Sequence, residues 1–281
     1  MASIGGGVTV RYDRITVPSA DIQTLTIPDD QRFWNGLKTD FIFDNSNTLG
    51  FNLKEGVRCK LFAEAQLGIG LGQRADLYTV GFDGRAYLPI WRNIILAGRF
   101  AIGSSAGYAG LVYYLGSVDS WVNFNPMVPN FNQNIPVNNQ EKLMFQALAT
   151  NLRGFSQNIR NGPSFGVVNS EIRIPVYRTI TNNVTGNKFL NSLQLVGFFD
   201  IGSAWKGYSP WHGDNVWESS TISNGPVTVT FKTQRSPLVA GFGGGIRFQT
   251  MGYPIRLDYA WGMESQKIQQ PIFYFSTCLD F

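Results

Sequence analysis

Residues 273–281 read Phe273-Tyr274-Phe275-Ser276-Thr277-Cys278-Leu279-Asp280-Phe281, and the two-residue period of this stretch decides the fold. Phe273, Phe275, Leu279 and Phe281 fall on one face, interrupted only by Thr277, while Tyr274, Ser276, Cys278 and Asp280 fall on the other. Successive side chains of a strand point to opposite faces, so the stretch is a strand with one greasy side and one polar side. Upstream the pattern repeats: Ile255, Leu257, Tyr259 and Trp261 alternate with Arg256, Asp258, Ala260 and Gly262. Leu238, Ala240, Phe242, Ile246 and Phe248 alternate with Gly241, Gly243, Gly245, Arg247 and Gln249. The same reading places strands near 4–16, 33–44, 53–66, 74–88, 92–103, 164–176 and 189–202, about ten in all, with almost no helical period.

A soluble sandwich would bury the greasy faces and expose the polar ones. Here the polar face carries acids and bases together with glycines, as in Thr79, Gly81, Asp83 and Arg85 or Asn169, Glu171 and Arg173, while the greasy face carries Phe, Tyr and Trp toward strand ends. A closed sheet in lipid predicts this assignment, because its backbone is paired internally and its side chains alternate between lipid and lumen. Composition agrees: 14% of the 281 residues are aromatic and only 15% charged, against roughly 25% charged in soluble domains. The expected fold is therefore all-β, a transmembrane antiparallel β-barrel occupying residues 1–281.

Connection lengths support this reading. The links at 89–92 and 250–254 are short, and those at 45–52 and 177–188 share their side of the sheet. The alternate links, 17–32, 104–163 and 203 to about 228, are longer, as in outer-membrane barrels with short periplasmic turns and long external loops. The link at 104–163 is far longer than an ordinary loop, which points to function. It holds an Asn- and Pro-rich piece at 123–139 and an expected short helix at 140–148.

Other classes are excluded or weakened. The 23 basic and 19 acidic residues are scattered singly, so nucleic acid is not an expected partner. No apolar run of about 18 residues exists to form a membrane-spanning helix. The only histidine, His212, leaves little room for metal or triad chemistry, and neither a cofactor nor a metal is expected. Gly103-Ser104-Ser105-Ala106-Gly107 has the spelling of a nucleophile elbow, yet it leaves a strand for a loop instead of opening a helix. Cys59 and Cys278 fall on opposite faces of the sheet, which disfavours a disulfide between them. Residues 1–7 lack the basic and apolar regions of a signal peptide, so export implies a leader outside this chain.

Within the long link stands Leu152-Arg153-Gly154-Phe155. Further on come Ser170-Glu171-Ile172-Arg173-Ile174-Pro175, Phe198-Phe199-Asp200-Ile201-Gly202 and the terminal Phe281. Taken in order, these motifs resemble the C-terminal barrel of the BamA/TamA outer-membrane assembly superfamily, over roughly residues 40–281. The resemblance implies an Arg-Gly-Phe loop folding back into the lumen and residence in the cell outer membrane. It also implies that the strands here are the last ten of a sixteen-stranded barrel, whose upstream strands and periplasmic domain lie outside this chain. Phe273, Phe275, Leu279 and Phe281 resemble the C-terminal signal that the assembly machinery recognises.

Strand parity allows the same arrangement. With Leu195, Phe199 and Ile201 toward lipid, Phe198 and Asp200 point inward, and with Ile172 and Ile174 toward lipid, so does Glu171. Arg153 could then bridge both carboxylates through its planar fork, with Gly154 turning the loop tip, Phe155 stacking near Phe198, and Gly202 completing the motif. The alternative is a solvated Arg153, with Glu171 and Asp200 paired to Arg173 or Arg247. If Arg153 bridges the two carboxylates, its loss should lower heat resistance and loosen the loop, while loss of Arg160 is expected to do neither.

Four functions follow from the resemblance or compete with it. The first is insertion, assembly or translocation of client outer-membrane proteins. The second is an anchor or platform for a periplasmic or surface partner, the third a diffusion channel, and the fourth a barrel fused to a hydrolase outside the chain. The family ties insertion to a weak seam between first and last strands and to its periplasmic domains. The partners implied are outer-membrane lipid, client or partner outer-membrane proteins, and a periplasmic domain or subunit.

Overall fold

The computed structural model describes residues 1–15, 30–70, 75–135, 137, 143–224 and 227–278. Ten long strands form one antiparallel meander in which each strand pairs with its neighbours in sequence. They are β1 (Ala2–Ile15), β2 (Asp30–Asp44), β3 (Leu53–Gly70), β4 (Ala75–Trp91), β5 (Ile94–Ala106), β6 (Ser164–Pro175), β7 (Gln194–Trp205), β8 (Val239–Thr250), β9 (Tyr253–Glu264) and β10 (Ile272–Ser276). β1 and β10 are the two ends of the sheet, and no pairing joins them among the described residues. The outer edge of β10 is met instead by a short strand of the long loop, Trp121–Val122, through Phe275 opposite Val122 and Ser276 opposite Trp121.

Burial inverts the soluble pattern. On β6, Val168 and Ile172 are each 45% exposed, while Asn169, Glu171 and Arg173 between and beside them are at most 2% exposed. On β7, Leu195 and Phe199 lie open while Phe198 and Asp200 are buried. A water-soluble sheet does not expose its aliphatic face and bury its charges; a sheet with lipid outside and packed polar groups inside does. Among the described residues no helix is long and apolar enough to cross a membrane.

Turns follow local chemistry. The β8–β9 hairpin closes on Met251 and Gly252, both at positive φ, as a two-residue turn matched to strand twist requires. The link between β6 and β7 holds two short helices, Val176–Thr181 and Lys188–Ser192. The strand expected from 189 therefore begins at Gln194, because the Asn187 side chain accepts hydrogen bonds from the Phe189 and Leu190 N–H groups and starts a helix instead.

The long loop is built, not structureless. Gly110–Leu115 pairs antiparallel with Arg160–Gly162 and parallel with Leu143–Leu148. The helix expected over 140–148 is thus corrected for 143–148, where a neighbouring backbone supplies ladder partners that outweigh local propensity; residues 140–142 lie outside the described residues. Between β7 and β8 the sequence reading missed a hairpin, Trp217–Asn224 with Val227–Gln234.

Candidate functional site

β6, β7, β8 and β9 carry the most deeply buried inner-face charges, Glu171, Arg173, Asp200, Arg247, Arg256 and Asp258, and the loop tip 151–155 lies against them. Pairing places Glu171 opposite Phe198 and Asn169 opposite Asp200, so the inward residues of β6 and β7 form a ladder of acid, aromatic and amide groups. Asn169 donates through Nδ2 to the Asn151 carbonyl at 2.8 Å, which fixes the approach of the tip.

Arg153 lies within this ladder, 1% exposed. Its Nε and Nη2 donate to Asp200 Oδ2 and Oδ1, each at 2.6 Å, and its Nη1 donates to Glu171 Oε1 at 2.5 Å. Its backbone N–H donates to Asp200 Oδ2 at 3.2 Å. The guanidinium carbon stands 3.7 Å from the Phe198 ring centroid, a stacked cation–π arrangement. Burial alone would push the Arg153 pKa down, but Asp200 and Glu171 more than offset it and hold the group above its ordinary value. The guanidinium thus stays charged, with its planar fork shared by two carboxylates from adjacent strands.

The cluster is wider than the three residues singled out from sequence. Glu171 also accepts from Arg173 Nε at 2.9 Å, and Asp258 on β9 bridges Arg247 and Arg256 at 2.5 and 2.6 Å. The two arrangements weighed for Glu171, bridging by Arg153 and pairing with Arg173, therefore coexist. Asp200 is paired with Arg153. Asp258, Arg256 and Tyr274 went unmarked, although the parity of the last two strands already put them on the polar side.

Gly154 and the strand glycines make the fit. Gly154 has φ +93, and a Cβ there would lie 2.6 Å from the Trp261 carbonyl group and the Gly262 nitrogen. A Cβ at Gly241 would strike the Arg153 carbonyl, and one at Gly262 would strike Phe155. Gly241 of β8 and Gly262 of β9 thus form a trough for the tip. Gly202 similarly makes room for Leu152 and Val167. Tyr274 on β10 closes the site: its hydroxyl accepts from Gly154 N at 3.0 Å and donates to the Phe155 carbonyl at 2.8 Å.

Two expectations are corrected. Phe155 does not belong to the cluster around Phe198; it packs with Leu115, Leu152, Ile159 and Phe165, and it is the Arg153 guanidinium that stacks on Phe198. Arg160 is not a free loop charge, being 1% exposed and paired with Glu264 at 2.6 Å. It also donates to the Ser236 carbonyl.

The remaining candidates lie elsewhere. Ser104 is within β5, 2.8 Å from the Ser164 hydroxyl, while His212 is exposed on another loop and stacks on Tyr208. Cys59 and Cys278 are free thiols. Of the residues resembling a C-terminal signal, Phe273 and Phe275 belong to β10. Leu279 and Phe281 lie outside the described residues.

No curated protein matches the sequence significantly. Among solved structures, BamA from Haemophilus ducreyi lacking POTRA domains 1–3 matches with a TM-score of 0.54 at 12% identity, over 98% of this chain and 50% of that one. At that identity the likeness is one of fold, and the chain spans half the length of that structure. It matches the open ten-strand meander to part of a β-barrel. The family model for the Omp85 superfamily domain matches residues 5–281, and the chain therefore belongs to the Omp85 superfamily as a β-barrel of the BamA/TamA type.

Proposed function

We propose that this chain is the barrel of a cell outer-membrane protein that inserts, assembles or translocates other outer-membrane proteins, with residues 104–163 held inside the barrel as a structured plug. The observation that supports this reading is Arg153, seated on Glu171 and Asp200 with its tip in a glycine trough. An open diffusion channel has no use for a loop tip fastened across its inner face by a buried ionic cluster. Outer-membrane lipid, unfolded barrel clients and a periplasmic domain are the partners this reading requires.

A direct test reconstitutes the full-length protein in liposomes and follows the folding of an added outer-membrane barrel by its heat-modifiable gel mobility. Faster client folding than in empty liposomes supports insertion. An unchanged rate, with the protein itself inserted, contradicts it. One observation favours an anchor or platform instead: Trp121–Val122 already pairs with the edge of β10, where the family places its seam. On that reading the liposome assay shows no acceleration, and partner proteins co-purify with the barrel from detergent extracts.

A further inference from the structure

The outer face of the sheet carries a hollow where β5, β6 and β7 approach the long links. Strand pairing sets Val168 between Phe100 and Ile201, all three on the outer face. Two residues nearer the strand ends Gly166 lies opposite Ser203, and at the start of β6 Ser164 lies between Ser104 and Trp205. A Cβ at Gly166 would meet only the Trp205 ring, at 3.6 Å. Over this gap opens a cavity of about 380 Å³, lined by Phe100, Val168, Ile201 and Trp205 and, from the loop after β7, by Pro210 and Trp211.

The hollow is apolar and its wall is fixed. No charged side chain lines it. Ser203 adds no polarity, because its hydroxyl donates to the Pro237 carbonyl at 2.8 Å. The loop wall is tied across its base: Asn215 Nδ2 donates to the Lys206 and His212 carbonyls at 2.9 and 2.8 Å, and its Oδ1 accepts the Lys206 N–H at 3.0 Å. Pro210 and Trp211 are thus held in place before anything binds, which lowers the ordering cost of an occupant.

Size, chemistry and place choose that occupant. Small-molecule sites measure about 300 to 1,000 Å³, and this volume cannot seat a helix about 10 to 12 Å across. It suits a thin apolar chain. The hollow is also continuous with the face that meets lipid. It lies where that face gives way to the paired Ser104 and Ser164 hydroxyls, 2.8 Å apart, and to Trp205 and Trp211, the residue types of a barrel's boundary with water. A lipid there keeps its chain in the hollow and its headgroup beyond the strand ends.

We propose that this hollow is a binding site for one acyl chain of an external-leaflet lipid, seated over Gly166 against Trp205 and Trp211. The site rests on the outer face meeting lipid and not on whether the barrel moves protein.

The test measures uptake of radiolabelled dilauroylphosphatidylcholine by the full-length protein in digitonin, a detergent with a steroid tail, after subtracting uptake by empty micelles. Uptake saturates at one lipid per protein. Unlabelled dilauroylphosphatidylglycerol competes equally, while glycerophosphocholine, which has no acyl chain, does not. Gly166→Leu fills the hollow and weakens uptake about tenfold or more, since each methylene excluded costs about fourfold. Gly197→Leu, on the same face of β7 with nothing within 4 Å of its Cβ position, leaves uptake unchanged. Heat-modifiable gel mobility identifies the folded variants, and should Gly166→Leu not fold, loss of uptake in Trp211→Ala, a change to an exposed loop side chain, decides instead. The proposal is overturned if uptake never saturates, if it follows the headgroup, or if the deciding variant takes up lipid as the wild type does. It is equally overturned if Gly197→Leu is as damaging, or if the occupant is a second copy of the chain, seen as a dimer that Gly166→Leu splits.

Discussion

Arg153 is the residue on which most of the inner face depends. It is the shared partner of Glu171 and Asp200, and its removal leaves Asp200 buried with no other salt-bridge partner among the described residues. Removing one partner of a buried, hydrogen-bonded pair costs about 3 to 5 kcal/mol, because the survivor stays desolvated. Arg153→Ala is therefore expected to lower the temperature at which the barrel unfolds on heated gels and to open new protease sites between 123 and 161. The comparison residue is Arg58, 44% exposed and 3.6 Å from Asp44; Arg58→Ala removes a surface pair of about 0 to 1 kcal/mol and should change neither readout. Arg160 cannot serve as that comparison because it is itself buried and paired. Gly154→Ala tests backbone fit apart from charge. The positive φ costs a side chain about 1 to 3 kcal/mol, and the clash with Trp261 and Gly262 adds to it, so the same protease sites should open with Arg153 intact.

Elements of this protein separate into those set by their own period and those set by partners. Alternation from Phe273 back to Val8 marks all ten long strands, because lipid outside and packed polar groups inside impose opposite demands on successive residues. Period alone could not find Leu143–Leu148, whose strand state comes from the backbone of Gly110–Leu115, nor Lys188–Ser192, which depends on the Asn187 cap. The site shows the same division. Arg153, Glu171 and Asp200 were legible because a motif resemblance and strand parity coincide on them. Tyr274, Asp258 and Arg256 belong to no motif singled out, and Phe155 was misplaced because residue type alone does not say which aromatic a guanidinium will cover. The last strand carries its own prediction. If Phe273, Phe275, Leu279 and Phe281 serve as an assembly signal, deleting Phe281 lowers the amount of protein in outer membranes and raises its degradation in the periplasm, both measurable by fractionation and immunoblotting. Unchanged levels would remove that role.

At the scale of the molecule, one inner face and one outer face account for the composition. Few charges suffice because the outer face of the sheet is apolar, and seven of those present, Arg153, Arg173, Arg247, Arg256, Glu171, Asp200 and Asp258, gather where the loop tip enters. The protein is accordingly expected to fractionate with outer membranes and to require detergent; a monodisperse monomer in plain buffer would contradict the barrel. The central claim is narrower: the tip of the 104–163 loop is held on the inner face by Arg153. A cryo-EM structure of the full-length protein in a lipid nanodisc measures this most directly. The account predicts the Arg153 guanidinium within hydrogen-bond reach of both Glu171 and Asp200, stacked on Phe198, with Val168, Ile172, Leu195 and Phe199 facing lipid. Arg153 in external solvent, more than about 6 Å from both carboxylates and so beyond strong electrostatic contact, would contradict it.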